Sequence, residues 1–178
     1  IAAGGGSVLV ACRAVAIFMG EPGDPFALMT QYPEGRPAYS PRLEAPKPPI
    51  INIPTTPTSA MNRAGTGLKN PDLDHRMEYF DPKTRPRAIV LDEGALMSAP
   101  PDLIRSTATT VFAGSVAAMS QTEINPLAEG DRDHAFRLAW RAYPRLADDI
   151  GDPAPRLDLA VAAFLHDRGE DDGARRFR

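Results

Sequence analysis

The fold of this chain is decided by residues 1–20, which read IAAGGGSVLVACRAVAIFMG. The first three residues are apolar, as at the end of a buried strand, and residues 4–6 predict a tight turn after it. We expect Ser7 to cap a helix over residues 8–19, which is apolar on nearly every side and therefore buried. Gly20 marks the end of that helix. A strand, a glycine turn and a helix in this order are typical of α/β folds.

The rest of the chain places strands first and helices later. Residues 21–49 are rich in proline and should form an irregular loop, and residues 55–69 are expected to form a second loop. The expected strands cover residues 49–53, 75–80 and 88–91, and the expected helices cover 25–32 (short), 103–120, 126–147 and 157–167. The predicted fold class is therefore α/β followed by all-α, with one domain over residues 1–96 and a helical one over 97–178.

The composition is that of a soluble globular protein and excludes some classes of function. Of the 178 residues, 43% are hydrophobic and 24% are charged, which are the usual proportions of such proteins. The formal net charge of −3 argues against a nucleic-acid partner. Interspersed charges leave no patch for a membrane surface. Cys12 is the single cysteine, which excludes an internal disulfide and indicates a reducing, cytoplasmic setting.

Gly4-Gly5-Gly6-Ser7 is a candidate phosphate-binding turn. Glycines let the backbone approach a diphosphate closely, and the N-terminus of the following helix offers free N–H groups and a partial positive charge. Similar strings also occur in flexible linkers, although the apolar residues on both sides argue against a linker. The motif alone supports dinucleotide binding and a purely structural turn about equally.

Residues 53–60, which read IPTTPTSA, form a second candidate binding segment. The hydroxyls of Thr55, Thr56 and Thr58 follow a predicted strand, at the edge of the sheet where ligands bind in open α/β folds. Threonines in a loop stiffened by proline are more often only solvated. This motif alone therefore favours a structural role.

The order of these motifs resembles that of the iron-containing alcohol dehydrogenase family. In that family a glycine turn with serine, an apolar helix and a strand ending in Ile-Pro-Thr-Thr follow one another in the same way. Later stretches that resemble the family in the same order are Gly65-Thr66-Gly67, residues 86–92, Asn125-Pro126-Leu127 and residues 158–165. The resemblance covers nearly the whole chain and indicates an atypical branch. Because only three residues precede the turn, we expect the chain to be an incomplete segment of a longer protein.

The resemblance implies a Rossmann-like domain that binds NAD or NADP, followed by a helical domain that holds a divalent metal, iron or zinc. The implied cofactor-binding residues are Gly4, Gly5, Gly6 and Ser7 at the pyrophosphate, and Thr55, Thr56 and Thr58 on the nicotinamide side. Arg76 stands near the place of a lysine that often contacts the cofactor, and many relatives have Asp and Lys in place of Val10 and Arg13. The implied reaction is hydride transfer between NAD(P)H and a small alcohol or aldehyde, in a protein that forms homodimers.

The metal ligands of the family are not retained in this sequence. Relatives carry Asp-x-x-x-His on the first long helix of the second domain, where this chain is matched with Phe112 and Val116. Neither side chain can bind a metal. The histidines, His75, His134 and His166, are expected to be solvated, because a metal site needs three or four convergent ligands. We therefore predict no metal ligands in this chain.

Two functions of different class follow from the sequence. The first is an oxidoreductase of the alcohol dehydrogenase type, by resemblance. The second is a non-catalytic nucleotide-binding or assembly module that kept the glycine turn and lost the metal site. The helical half adds no further site, since Phe136, Trp140 and Tyr143 lie at helical spacing and are predicted to belong to the core.

Overall fold

The structure is a computed structural model that describes residues 1–121 and 125–173. The strands are β1 (Ala2–Gly4), β2 (Ile51–Pro54), β3 (Gly65–Lys69), β4 (Arg76–Phe80) and β5 (Ala88–Ile89). The helices are α1 (Gly6–Gly20), α2 (Pro25–Leu28), α3 (Glu93–Met97), α4 (Pro101–Ala118), α5 (Pro126–Asp148) and α6 (Pro153–Gly173). Short 3-10 helices cover Ser59–Asn62 and Pro82–Thr84. The predicted fold class, α/β followed by all-α, is confirmed.

Strands β1, β2 and β5 form a parallel sheet in the order β1-β2-β5. Gly4 at the end of β1 pairs with Pro54 at the end of β2, and the Thr55 N–H donates to the Gly4 carbonyl at 3.0 Å. In parallel sheets the carboxyl ends of the strands share one edge, where ligands bind. The register therefore brings the glycine turn after β1 and the threonine segment after β2 together.

Strands β3 and β4 form an antiparallel hairpin inside a segment that was expected to be partly loop. Gly65 pairs with Phe80, and Lys69 pairs with Arg76. The prediction of a loop through residue 69 is therefore wrong from Gly65 onward. Glycines alternate with other residues at the start of β3, and glycine is depleted in strands, so the sequence carries only a weak strand pattern here.

Helix α1 begins earlier than predicted and is buried on one side only. Its N-cap is Gly5 and its first residue is Gly6, so Ser7 lies inside the first turn and is not the cap. The buried side packs on β3 and on the Ser59–Asn62 helix. Exposed apolar residues on the other side include Val8 (45%), Val15 (54%) and Met19 (71%). The expectation of a wholly buried helix is wrong, because apolar composition does not tell which sides of a helix find a partner.

One hydrophobic core joins the sheet side of the chain to the helices. Leu9 of α1 and Met61 are buried in the same cluster as Ile104 of α4 and Leu159 of α6. Alanines dominate the part of this cluster that α5 and α6 contribute, and small side chains let helices approach closely. The two halves are therefore packed together, and the domain boundary between residues 96 and 97 stays a prediction.

No helix within residues 1–121 and 125–173 offers the long apolar stretch that crossing a bilayer requires. Helices α5 and α6 are the longest, and their alanine-rich sides are covered by each other and by the core.

The irregular segment over residues 21–49 is fixed to the rest of the fold by a buried lysine. The Lys47 side chain is 0% exposed, and its Nζ lies 2.8 Å from Glu21 Oε1 and 3.1 Å from Asp81 Oδ2. It also donates to the Ala45 carbonyl at 2.7 Å. Two hydrogen bonds, to Glu21 and to the Ala45 carbonyl, and the ion pair with Asp81 together compensate the burial of the ammonium group. We name the side chains of Glu21, Lys47 and Asp81 the charge cluster.

The charge cluster shifts the pKa values of its own members. Burial alone would raise the pKa of Asp81, but the Lys83 backbone N–H and the ammonium groups of Lys47 and Lys83 outweigh it and lower that pKa below its ordinary value. Burial would likewise lower the pKa of Lys47, but the carboxylates of Glu21 and Asp81 outweigh it and raise that pKa. Asp81 and Lys47 therefore stay charged at neutral pH.

Candidate functional site

The glycine turn is held in one conformation at Gly4. This residue has a φ of +154°, a backbone conformation that glycine adopts without a steric penalty. Its carbonyl accepts the Thr55 N–H. A Cβ at this position would lie 2.7 Å from Cγ2 of Val8, so the turn does not accept a larger residue without a shift. Gly4 is therefore required by the fold itself.

Gly4→Ala is expected to lower the free energy of unfolding by about 1–3 kcal/mol, because the new methyl group meets Val8 and the backbone is strained. Urea unfolding followed by circular dichroism measures this loss. Gly130→Ala is the matched control, since nothing lies within 4 Å of a Cβ added there and alanine favours the helix. A Gly4→Ala chain as stable as the wild type would contradict the contact with Val8.

The N-terminus of α1 has no side-chain cap. Gly5 is the N-cap, and it has no side chain that could form a capping hydrogen bond. The N–H groups of Val8 and Leu9 donate to the Gly5 carbonyl at 3.0 Å and 3.3 Å. The first N–H groups of a helix have no partner within it, and they attract anions. Gly6 and Ser7 carry such groups next to the turn.

Thr56 and Thr58 lie against the glycine turn. Thr56 is 1% exposed, and its Oγ1 lies 3.6 Å from the position of a Cβ on Gly5. That hydroxyl has no hydrogen-bond partner among the described residues. Thr58 Oγ1 lies 2.8 Å from the position of a Cβ on Gly6 and accepts the Ala60 N–H at 3.1 Å. The turn and the threonines therefore meet, and one buried hydroxyl among them is unsatisfied.

Arg13 and Val10 hold the hairpin on α1. Arg13 is buried and donates through Nε to the Gly65 carbonyl at 2.8 Å and through a second nitrogen to the Ala60 carbonyl at 2.6 Å. The Val10 carbonyl accepts the Thr66 hydroxyl at 2.6 Å. Both positions are thus explained by packing and hydrogen bonding within the chain.

Arg76 lies apart from the glycine turn. It is exposed on β4 and lines a cavity of about 630 Å³ that is also lined by Arg13 and Tyr32. No residue of the glycine turn belongs to that lining. A role of Arg76 at the turn therefore has no geometric support within the described chain.

A smaller cleft, of about 220 Å³, opens between the threonine segment and helices α4 and α6. Its lining residues are Pro57, Thr58, Ser59, Arg63, Thr107, Thr110, Val111, Gly114, Ala163 and His166. Arg63 donates to the buried carboxylate of Asp167 at 3.0 Å and 3.2 Å. This ion pair joins the segment after the Ser59–Asn62 helix to α6, beside the cleft. The cleft therefore has walls of mixed polar and apolar residues, drawn from both halves of the chain.

The side of α4 that faces the cleft does not include Phe112 or Val116. Phe112 stacks on Tyr143 with 4.6 Å between ring centroids, and Val116 is 41% exposed. Each residue advances by about 100° around a helix, so positions two apart point to nearly opposite sides. The cleft is lined by Thr110 and Gly114 instead. Thr110 and Gly114 are also four residues apart, and neither is a carboxylate or an imidazole.

The aromatic residues of α5 are not all in the core as expected. Trp140 is 58% exposed and lies 5.6 Å from Phe136 and 6.0 Å from Phe112, between ring centroids. Phe136 and Tyr143 are half-buried. The prediction is wrong for Trp140, because α5 packs on α6 through its alanines, which turns the tryptophan outward.

The comparison with protein families decides the relationship that these motifs suggest. The sequence profile of the family described as iron-containing alcohol dehydrogenase matches residues 1–93, more than half of the 178-residue chain. The chain belongs to this family.

Relatives within the iron-containing alcohol dehydrogenase family match more of the chain, at low identity. An alcohol dehydrogenase of Thermococcus barophilus is 26% identical over 172 residues, which are 93% of this chain and 42% of the relative. The probable alcohol dehydrogenase EutG of Salmonella typhimurium is 24% identical over 173 residues, which are 93% and 40% of the two chains. The chain therefore spans about two fifths of the length of these relatives.

Solved structures of the family share the fold. The iron-containing alcohol dehydrogenase of Thermococcus thioreducens superposes with a TM-score of 0.76 at 22% identity, covering 94% of this chain and 43% of the other. The sulfoacetaldehyde reductase of Bifidobacterium kashiwanohense, solved in complex with NAD+, superposes with a TM-score of 0.75 at 20% identity, with the same coverage. At this identity the likeness establishes the fold of the chain.

The residues of this chain do not fit the divalent metal that the family name implies. The cleft-facing positions of α4 hold a threonine and a glycine, and the cleft contributes one imidazole, that of His166. Within residues 1–121 and 125–168, where side chains are described, no three His, Cys, Asp or Glu residues converge. A metal site needs three or four ligands. His75 and His134 are both exposed, away from the cleft.

Proposed function

We propose that Gly4, Gly5, Gly6 and Ser7 bind the pyrophosphate of NAD or NADP. The observation that carries this proposal is the N-terminus of α1, which has no side-chain cap and lies beside the buried, unsatisfied hydroxyl of Thr56. Phosphate oxygens would accept the N–H groups of the first helical turn. They would also supply the acceptor that the Thr56 hydroxyl lacks, which removes the cost of a buried polar group.

The nicotinamide half of the cofactor is assigned to the threonine segment. Thr58 both touches the turn, at Gly6, and lines the cleft, so a ligand extending from the turn into the cleft would pass it. Thr55 is fixed at the edge of the sheet by its N–H bond to Gly4. We therefore infer that the cofactor runs from the glycine turn across Thr55, Thr56 and Thr58 toward the cleft.

The whole protein is proposed to be an oxidoreductase that transfers hydride between NAD(P)H and a small alcohol or aldehyde. Membership in the iron-containing alcohol dehydrogenase family supports this reaction class, and the sulfoacetaldehyde reductase with the same fold was solved with NAD+. Hydride transfer requires that the cofactor ring be held against the substrate and shielded from water. We further propose that residues 1–96 belong to the cofactor domain, that 97–178 belong to the helical domain, and that the protein forms a homodimer.

A non-catalytic nucleotide-binding or assembly module is the second candidate function. The observation in its favour is that α4 presents Thr110 and Gly114 to the cleft, and neither is a carboxylate or an imidazole that could bind a metal. A divalent metal at such a site would act as a Lewis acid toward the substrate oxygen. Such a module would bind the cofactor at the glycine turn and would catalyse no reaction.

Metal analysis combined with turnover separates these functions. The purified protein is assayed for bound metal and for NAD(P)H-dependent reduction of small aldehydes. The oxidoreductase proposal predicts oxidation of NAD(P)H in proportion to the aldehyde consumed. NAD(P)H binding without turnover of any aldehyde, with or without added Fe²⁺ or Zn²⁺, would instead establish the module.

Thr56→Val is expected to weaken NAD(P)H binding about tenfold, the effect of one lost hydrogen bond. The free energy of unfolding should change by less than about 1 kcal/mol, and upward, since an unsatisfied buried hydroxyl is removed. Thr58→Val is the matched comparison: it removes the cap of the Ser59–Asn62 helix and should cost about 1 kcal/mol. A marked loss of stability in Thr56→Val would show that its hydroxyl already has a partner.

A further inference from the structure

We propose that two copies of this chain pack antiparallel through α5, with Trp140 near the middle of the contact. The inference gives an interface to the homodimer proposed above, and in that respect it rests on the proposed function. Two features of α5 carry it together. The helix borders an apolar patch that the fold leaves open, and the exposed sides of its two halves carry opposite charge.

The apolar patch is formed by Phe112 and Val116 of α4 and by Phe136 and Trp140 of α5. Trp140 and Val116 are exposed. The indole lies 5.6 Å from the Phe136 ring and 6.0 Å from the Phe112 ring, between centroids. These contacts restrict the indole before any partner arrives, which lowers the entropy that binding costs. An ordered, exposed tryptophan is the kind of side chain that dominates the affinity of protein interfaces.

The second half of α5 presents positive charge beside the patch. Arg137 and Arg141 are exposed, and they lie three residues before and one residue after Trp140 in the sequence. Arg137 donates to the Asp133 carbonyl at 3.3 Å, and Arg141 donates to the Arg137 carbonyl at 3.2 Å. Neither guanidinium belongs to an ion pair within the described residues. A partner that covers Trp140 should therefore offer carboxylates to these arginines.

The first half of α5 presents negative charge. Glu129 and Asp133 share one arginine, Arg132, whose Nη2 lies 3.6 Å and 3.1 Å from their carboxylate oxygens. Their side chains remain 56% and 42% exposed. Two carboxylates against one guanidinium leave an excess of negative charge. The chain thus carries on the same helix the carboxylates that its own arginines lack.

The charged residues and Trp140 share one side of α5. Residues 129, 133, 137, 140 and 141 fall within about 120° around the helix axis, at about 100° per residue, and the buried alanines of α5 lie on the opposite side. In an antiparallel pair related by a two-fold axis, the negative half of each helix lies against the positive half of the other. A purely acidic partner would attract Arg137 and Arg141 but repel Glu129 and Asp133. Charge complementarity therefore favours a second copy of this chain.

Trp140 is the single tryptophan of the chain, so its emission reports on this surface alone. Sedimentation velocity of the purified protein should show a monomer that becomes a dimer as the concentration rises, with a blue shift of the emission over the same range. A dimer that keeps the emission of an exposed indole overturns this interface and leaves the homodimer standing. A monomer at every concentration overturns both, whether its emission is that of an exposed indole or is blue-shifted by another covering segment.

Reversing the charges of each half separately tests the antiparallel orientation. Arg137→Glu with Arg141→Glu makes the exposed side of α5 acidic, and Glu129→Lys with Asp133→Lys makes it basic. Each double variant alone should raise the dissociation constant of the dimer by at least about tenfold, because like charges then face each other. An equimolar mixture of the two should form a heterodimer with nearly wild-type affinity, since each reversed half meets the reversed half of the partner.

Arg36→Glu with Arg42→Glu is the matched control, because it makes the same change of net charge at exposed positions outside α5 and should leave dimerisation unaltered. Circular dichroism checks that every variant is folded. Folded double variants of α5 that dimerise as wild type, or a mixture that does not associate, overturn the antiparallel contact.

Trp140→Ala is expected to raise the dissociation constant of the dimer by at least about tenfold, whereas Met19→Ala, at an exposed residue of α1, should not change it. Wild-type association by Trp140→Ala overturns the inference. The NAD(P)H dissociation constant should be the same in all these variants, since none of them alters the glycine turn. A wild-type protein that dimerises through α5 but does not bind NAD(P)H overturns the cofactor proposal and supports this interface.

Discussion

Gly5→Val is expected to reduce NAD(P)H affinity by at least about a hundredfold while the chain stays folded. Gly5 has φ −73° and ψ −178°, a conformation open to any residue. The nearest atom to an added Cβ is Thr56 Oγ1 at an ordinary contact distance of 3.6 Å. The side chain therefore costs the fold little. It would, however, stand on the face of the turn where the proposed pyrophosphate approaches.

Two further variants separate a loss of NAD(P)H binding from a loss of folding. Gly130→Val is the matched control, because it places the same side chain in open space on α5. Gly5→Ala should fall between wild type and Gly5→Val, since its single methyl blocks less of the turn. Thermal unfolding and NAD(P)H fluorescence titration are measured for all variants. A folded Gly5→Val chain with wild-type affinity would place the cofactor elsewhere.

Lys47→Met is expected to lower the free energy of unfolding by about 3–5 kcal/mol, the usual cost of removing one partner from a buried ion pair. The substitution keeps the apolar stem but leaves the buried carboxylate of Asp81 without the ammonium group that lies 3.1 Å away. It also removes one of the links between residues 21–49 and the segment after β4, where the bond from Lys83 to the Leu43 carbonyl remains. Lys69→Met, at an exposed position of β3, is the control and should change stability by less than about 0.5 kcal/mol. If Lys47→Met lowered the free energy of unfolding as little as Lys69→Met does, the role of the charge cluster would be contradicted.

The loss of stability in Lys47→Met is also expected to depend on pH. The pKa values of Asp81 and Glu21 lie below their ordinary values of 3.8 and 4.5 in the folded chain. Their contribution to stability is therefore complete above those values and is lost as the pH falls through the lowered pKa values. The difference between wild type and Lys47→Met should narrow below about pH 4. A difference that stays constant on acidification would show that the carboxylates are not involved.

The sequence predicted the turn and its partners because local chemistry determines them. Gly4 must be glycine to adopt its φ without meeting Val8, and the strand before Thr55 is marked by β-branched residues between prolines. Once both strands are parallel, their carboxyl ends meet and bring Thr56 against Gly5. The family resemblance, which rests on the order of these motifs, is confirmed by the profile match over residues 1–93.

Features set by tertiary packing were not predictable in this way. The prediction that Ser7 caps the helix is wrong because the turn ends at Gly5. The helix therefore begins at Gly6, one residue before Ser7. Nothing local indicates that Lys47 is buried, since its partners lie 26 and 34 positions away in the chain. The side of α4 that faces the cleft was also missed. Which side of α4 faces the cleft depends on where the neighbouring helices lie, and the apolar pattern of α4 alone does not show this.

Titration of the wild-type protein with NADH and NADPH, followed by the fluorescence of the reduced nicotinamide, shows whether the glycine turn binds a dinucleotide. A cofactor held between the glycine turn and the threonine segment predicts a saturable, blue-shifted signal for at least one of the two, with one molecule bound per chain. The oxidised cofactor should displace it. Fluorescence that grows linearly with added NADH and NADPH, with no saturation and no displacement, would contradict dinucleotide binding at Gly4-Gly5-Gly6-Ser7.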